Sequence, residues 1–139
     1  MSEHTENIQP GAAAYAAVAR VMARYYEGLY HGDVELLAEV FHPGATYATA
    51  SGGELLQLNL EAYFPVVSGR ASPATRGEAY SYELTSIAFA GSHTALVRMR
   101  SAMLGKHFDD FLSLIKVDGQ WRIIAKVFHF ELEPTAEGT

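Results

Sequence analysis

Between positions 12 and 31 the apolar residues Tyr15, Val18, Met22, Tyr25 and Leu29 recur every three or four places, with Val21, Tyr26 and Tyr30 widening the stripe. This period predicts one long amphipathic helix, stopped by Gly32. Asp33 suits the N-cap of a shorter helix carrying Leu36, Leu37, Val40 and Phe41, which His42-Pro43-Gly44 ends. Beyond it the period falls to two. Residues 45–51 and 54–58 read as short strands turned at Gly52-Gly53. Asn59 can cap a helix through Leu60, Tyr63 and Phe64, but Pro65 removes a backbone hydrogen bond there, so a kinked or very short helix is expected. Residues 68–73 form a loop. Strands at 78–89, 93–104 and 107–130 then make a long antiparallel meander, with a turn at Gly105-Lys106. The register of the first of these strands is open by one, leaving Tyr80 and Tyr82 without an assigned face.

The meander closes on a hairpin whose turn, Asp118-Gly119, suits a type I′ conformation with positive φ at both residues. Counting out from that turn pairs Leu114 with Ile123, Leu112 with Ala125, Asp110 with Val127 and Phe108 with His129. Alternation then sorts the hairpin into two faces. One carries Phe108, Asp110, Leu112, Leu114, Trp121, Ile123, Ala125, Val127 and His129. It is a core face with an acid and an imidazole at its open end. The other carries Asp109, Phe111, Ser113, Ile115, Arg122, Ile124, Lys126 and Phe128.

Helices followed by a twisted antiparallel sheet give an α+β fold. The apolar concave side of the sheet needs a lid, and the first helix supplies it, leaving a cone with a pocket beneath. Polar segments at 1–10 and 132–139 flank a single domain at 11–131.

The 139 residues are 49% hydrophobic and 12% aromatic, enough for a real core, with a formal net charge of -6. That charge argues against nucleic-acid binding, which needs a basic patch. The chain has no cysteine, which excludes disulfides, thiolate metal sites and a cysteine nucleophile. No histidine pair has metal-ligand spacing, and no phosphate loop, nucleophile elbow or dinucleotide fingerprint occurs, so neither metal nor cofactor is expected. No apolar run is long enough for a signal peptide or membrane span, and a cytoplasmic protein without membrane contact is the expectation.

Asp110 and His129 are the sharpest candidates, because a carboxylate beside an imidazole is the arrangement that general acid–base chemistry uses. A structural pair satisfying itself in the core is the competing reading. Tyr26, Tyr30, Phe41, His42, Tyr47, Phe64, Met99, Phe108 and Trp121 are the candidate lining of a ligand pocket, against plain core packing. Arg70 in its loop is placed to close over an anionic ligand. The second sheet face, with Arg98, Arg100, Phe111, Ile115, Arg122, Ile124, Lys126 and Phe128, is too apolar to stay wet and predicts a homodimer.

The segments YYEGLYHGD (25–33), FHPGA (41–45), GRASP (69–73), DDFLSLIKVDGQWRI (109–123) and KVFH (126–129) resemble the lumazine-binding branch of the nuclear-transport-factor-2-like superfamily, over residues 25–129. The resemblance implies the cone-shaped, cystatin-like α+β fold, a homodimer joined through its outer sheet faces and a pocket in each subunit. Similar folds include ketosteroid isomerase, scytalone dehydratase and SnoaL-like cyclases as well as non-catalytic binders, so fold leaves activity open. The leading expectation is a protein that binds a small, partly apolar molecule. The second is an isomerase, dehydratase or cyclase with His129 as base, Asp110 orienting it, and Tyr47 or Tyr26 meeting the oxyanion. The third is an interaction module with a filled cone.

Overall fold

A computed structural model of the chain describes residues 11–134; the N-terminal arm with His4 and most of the expected tail lie outside them. Helix α1 spans Ala12–His31 and ends at Gly32, whose φ of 66° is the left-handed conformation a glycine C-cap supplies. Asp33 caps α2 (Val34–Val40) by accepting from the Leu36 amide at 3.1 Å. Strand β1 (Phe41–Thr49) begins at once, so His42-Pro43-Gly44 lies inside an irregular strand rather than ending the helix. The link to β2 (Leu56–Asn59) pairs Thr49 with Leu56 and is longer than the expected glycine turn.

Asn59 caps α3 (Leu60–Gly69), donor Ala62 N at 2.9 Å. This helix runs on through Pro65, against expectation. Glu61 and Pro65 are both exposed, so the carbonyl that proline leaves unpaired is open to water. Strands β3 (Tyr82–Phe89), β4 (Thr94–Met103), β5 (Lys106–Val117) and β6 (Gln120–Leu132) follow. The six strands form one sheet in the order β2-β1-β6-β5-β4-β3, and β1 runs parallel to β6.

Two registers decide which side chains face the helices. The β4–β5 turn sits at Leu104-Gly105, both at positive φ, one position before the expected one. Met103 thus pairs with Lys106 and Met99 with Asp110, a shift of two that leaves every face unchanged. The β5–β6 turn is Asp118-Gly119 as expected, with φ values of 53° and 77°. The ladder then breaks: Leu114 pairs with Ile123 but Ser113 with Ala125, leaving Ile124 as an extra residue. Past this bulge β6 is turned over. Asp110 faces Phe128, Phe108 faces Phe130, and Asp109 faces His129. Lys126 and Phe128 are buried in the core face, while Val127 and His129 are exposed. The assignment of Lys126 and Phe128 to the outer face, and of Val127 and His129 to the inner, is thereby corrected.

The core lies between the sheet's concave face and α1, where Val18, Met22, Tyr25, Tyr26 and Leu29 are buried against Val97, Met99, Leu112, Leu114 and Ile123. Tyr82 is half-buried, and its ring packs on Tyr26 at 4.8 Å. Tyr80 precedes the strand and packs on Tyr26 and Tyr30.

Where α1 meets α2 the helices touch through Gly28. A methyl group there would stand 2.7 Å from Leu37 Cδ2 and 2.8 Å from its Cγ. Leu37 is fully buried, so overpacking outweighs the helix propensity gained. Gly28→Ala should destabilise the fold by about 1–2 kcal/mol, read as a lower urea midpoint with an unchanged slope.

Candidate functional site

Two ionisable side chains enter the concave face at its open end. Asp110 comes from β5, between Met99 and Phe128 on the neighbouring strands. Lys126 comes from β6, turned inward by the Ile124 bulge, between Leu112 and Tyr47. They are 2% and 4% exposed, and Lys126 Nζ lies 3.9 Å from Asp110 Oδ2. Five aromatic rings surround the ammonium: Phe128 at 4.7 Å, Tyr47 at 5.2 Å, Tyr25 at 5.4 Å, and Tyr63 and Phe108 at 5.9 Å from their centroids. Such rings favour a positive charge over their faces.

The Tyr25 hydroxyl donates to Asp110 Oδ2 over a long 3.4 Å. Asp110 Oδ1 has nothing: it is the buried side-chain atom without a hydrogen-bond partner among the described residues. Asp110 helps to line a slot of about 20 Å³ together with Leu29, Tyr47, Tyr63, Arg70, Ser101, Met103, Phe108 and Lys126. That volume admits about one water molecule. Burial pushes the Asp110 carboxyl above its ordinary range, opposed by the Lys126 charge and the Tyr25 hydrogen bond. Burial likewise raises the phenols of Tyr25, Tyr47 and Tyr63, so all three are hydrogen-bond donors at neutral pH.

The ion pair is a poor stabiliser. An attraction of about 4 kcal/mol at an effective dielectric near 20 is set against several kcal/mol of desolvation for each ion. Apolar filling would serve the fold equally well. A carboxylate with one unpartnered oxygen, a cation and neutral phenols around a narrow slot are groups that can do acid–base chemistry.

The expected Asp110–His129 pair does not form. His129 is on the opposite sheet face with its side chain 60% exposed, its ring bonded to Ser51 Oγ at 2.9 Å and to Glu131 at 3.2 Å. The bulge is the cause. Asp109, its cross-strand neighbour, is held by Arg98 at 2.7 and 2.9 Å, which depresses its carboxyl below the ordinary range. Of the expected lining, Tyr47 and Phe108 reach the slot, and Met99 is buried beside Asp110. Tyr26 and Tyr30 point elsewhere, accepting from Ser81 N and donating to Glu78 O. Phe41, fully buried, and Phe64, half-buried, pack against Tyr63 as core. His42 ties its own strand by accepting from Gly44 N. Trp121 packs on Phe89 and borders an open groove of about 500 Å³ with Arg20, Arg24 and Arg122, far from Asp110 along the strand. Among the described residues no three His, Asp or Glu side chains cluster as metal ligands, and no helix is long and apolar enough to cross a membrane.

The family model described as "Putative lumazine-binding" matches residues 13–129. The chain belongs to that family. A crystal structure of an NTF2-like protein from Silicibacter pomeroyi is similar over 88% of this chain and 100% of its own, with 25% identity and a TM-score of 0.78. One from Shewanella baltica is similar over 89% and 98%, with 23% identity and a TM-score of 0.77. A protein from a Cladobotryum species named aldolase FrzH is 30% identical over 117 residues, covering 83% of this chain and 90% of that protein. The fold of this lumazine-binding family member is thus the nuclear-transport-factor-2-like α+β cone, built on a curved sheet that does not close.

Sequence reasoning placed Asp110 inward and noted Arg70, but missed Lys126, Tyr25, Tyr63 and Phe128 as site residues. A signal was present. After Ile123-Ile124 the run Lys126-Val127-Phe128-His129-Phe130-Glu131 puts its aromatic residues on even numbers and its polar ones, Lys126 apart, on odd.

The buried pair makes this family member's stability depend on pH. The raised Asp110 carboxyl keeps a proton that the unfolded chain releases, so its contribution falls as pH rises through the window between the ordinary carboxylate range and the raised value. Lys126→Met strands the carboxylate and should cost about 3 kcal/mol near neutral pH. The cost should shrink on acidification as Asp110 takes up its proton. Urea titrations of the variant and the parent at several pH values measure the slope.

Proposed function

We propose that the Asp110–Lys126 slot handles a small carbonyl compound and moves the proton on the carbon beside the carbonyl group. The carrying observation is Asp110 Oδ1, buried and unpartnered on a residue that lines the slot. A carboxylate whose proton affinity burial has raised is a stronger base than an exposed one. The Lys126 cation, within reach of the same space, supplies positive charge where an enolate oxygen would develop negative charge. The relative named an aldolase supports carbonyl chemistry. A bicyclic pteridine would require the slot of about 20 Å³ to widen far more than a three-carbon carbonyl compound would, so a pteridine is not the proposed ligand. The acid–base pair proposed is Asp110 with Lys126, in place of Asp110 with His129.

The tightness of the slot favours one other reading, a filled cone in which the pair is structural. The two part on a direct measurement. With acetone or pyruvate in deuterated buffer, exchange of the methyl protons followed by NMR should exceed the buffer rate and rise with pH as Asp110 ionises. It should fall at least about a hundredfold in Asp110→Asn. Exchange equal to buffer alone overturns the carbonyl reading and leaves the filled cone.

We propose further that the protein is a homodimer joined through the outer sheet face. Leu96, Phe111 and Val127 stand there 44%, 49% and 54% exposed on adjoining strands, bordered by the Arg98–Asp109 pair. This patch stands without the Lys126 and Phe128 first assigned to it. Sedimentation should give a dimer at micromolar concentration and a monomer for Phe111→Glu/Val127→Glu; a monomeric parent overturns the assignment.

A further inference from the structure

We propose that Lys126 forms a covalent iminium with the keto carbon of a short 2-oxo acid, whose carboxylate is met by Arg70. The proposal rests on the carbonyl reading above and assigns it a substrate class and a bond.

The first ground is the setting of the amine. Lys126 is buried and lines the slot, and the charged group near its Nζ is the Asp110 carboxylate at 3.9 Å. A lysine removed from water in an apolar pocket is the kind that reacts with carbonyls. The five rings that favour an ammonium favour an iminium as well, because both carry one positive charge at the same nitrogen. The enclosure therefore stabilises reactant and product alike, and the bond forms without a charge moving into an apolar region.

The second ground is the proton inventory. Lys126 passes a proton to Asp110, and the free amine adds to the keto carbon as the carbonyl π bond opens. The oxygen takes one amine proton to give a carbinolamine. Asp110 returns its proton to that hydroxyl, the C–O bond breaks, and water leaves. The balance is one ammonium, one carboxylate and one ketone in, and one iminium, one carboxylate and one water out. The restored carboxylate can then remove a proton from the adjacent carbon to give the enamine. Asp110 serves both steps because one of its oxygens faces Lys126 and the other is unpartnered. Neither step calls on a metal, oxidant or cofactor.

The third ground is the charge of the lining, with two cations, Lys126 and Arg70, against the one anion Asp110. If Lys126 and Asp110 answer to each other, Arg70 remains as the group that recognises an anion, and its planar fork fits a carboxylate. Arg70 follows the last residue of α3, and its side chain and that of Phe108 are half-buried. They are the residues a three-carbon acid displaces to widen a slot that now admits about one water molecule.

The test is reductive trapping. Full-length protein is incubated with pyruvate and sodium cyanoborohydride, and the product is mapped by peptide mass spectrometry. Lys126 should gain the mass of pyruvic acid less one oxygen atom, with labelling at least about tenfold above that of the more exposed Lys106 and Lys116. Arg70→Gln should lower trapping of pyruvate at least about tenfold more than it lowers trapping of acetone. Labelling spread evenly over the three lysines overturns the covalent assignment. Lys126→Arg separates this failure from that of the carbonyl reading. If the arginine variant exchanges methyl protons as fast as the parent and the parent yields no adduct, Lys126 acts by charge alone and the carbonyl reading stands. If the parent neither exchanges nor is trapped, both are overturned. Equal loss of pyruvate and acetone trapping in Arg70→Gln removes the 2-oxo acid and leaves a neutral carbonyl compound as substrate.

Discussion

The extra residue Ile124 is the constraint from which the interior takes its character. Without it, β6 would present Val127 and His129 to α1 and leave Lys126 in water. With it, a lysine is forced into a region that otherwise holds rings and aliphatic chains. The partner it finds is Asp110, the acidic residue buried on the facing strand. A bulge re-aims side chains without altering the sheet's order or the turn that precedes it. The departure from ladder geometry is therefore confined to one position while its chemical effect extends along the rest of the strand.

That effect is amplified by what surrounds the pair. Tyr25 from α1, Tyr47 from β1, Tyr63 from α3, and Phe108 and Phe128 from the sheet shield Nζ from bulk solvent. In such a place each charge is felt more strongly and each missing hydrogen bond costs more. The unpartnered oxygen of Asp110 is the clearest sign that the site is not optimised for stability. Nearby polar residues that resemble functional ones are, by contrast, hydrogen-bonded: Asp109 to Arg98, Tyr26 to Ser81, His129 to Ser51 and Glu131.

Local signals in the sequence carried the helical half well. The limits of α1, the left-handed Gly32, and the caps at Asp33 and Asn59 follow from residue chemistry within a few positions. The Asp118-Gly119 turn was legible for the same reason. What escaped depends on distant partners or on tolerated exceptions. Leu104 adopts positive φ although leucine resists it, and Pro65 sits mid-helix because its turn faces water. The parallel pairing of β1 with β6 leaves no trace in either strand alone. The bulge was the costly omission, since alternation cannot show where it is interrupted and one missed residue exchanges the two faces. Asp110 was placed correctly because it lies on β5, which keeps its count; His129 was misplaced because it lies beyond the interruption.

The parallel contact between β1 and β6 bears on how the molecule is assembled. Thr49 donates its hydroxyl hydrogen to the Phe128 carbonyl across 79 positions of chain. Until the final strand has been synthesised, the flank of β1 that will meet it carries unpaired amides and carbonyls. A nascent chain therefore holds an open edge for most of its synthesis, and joining so remote a pair is entropically slow. Tyr47, which belongs to that same edge, reaches Lys126 only once the edge closes. The aromatic enclosure of Lys126 is thus among the last parts of the protein to form, and no piece of the chain that lacks β6 contains it.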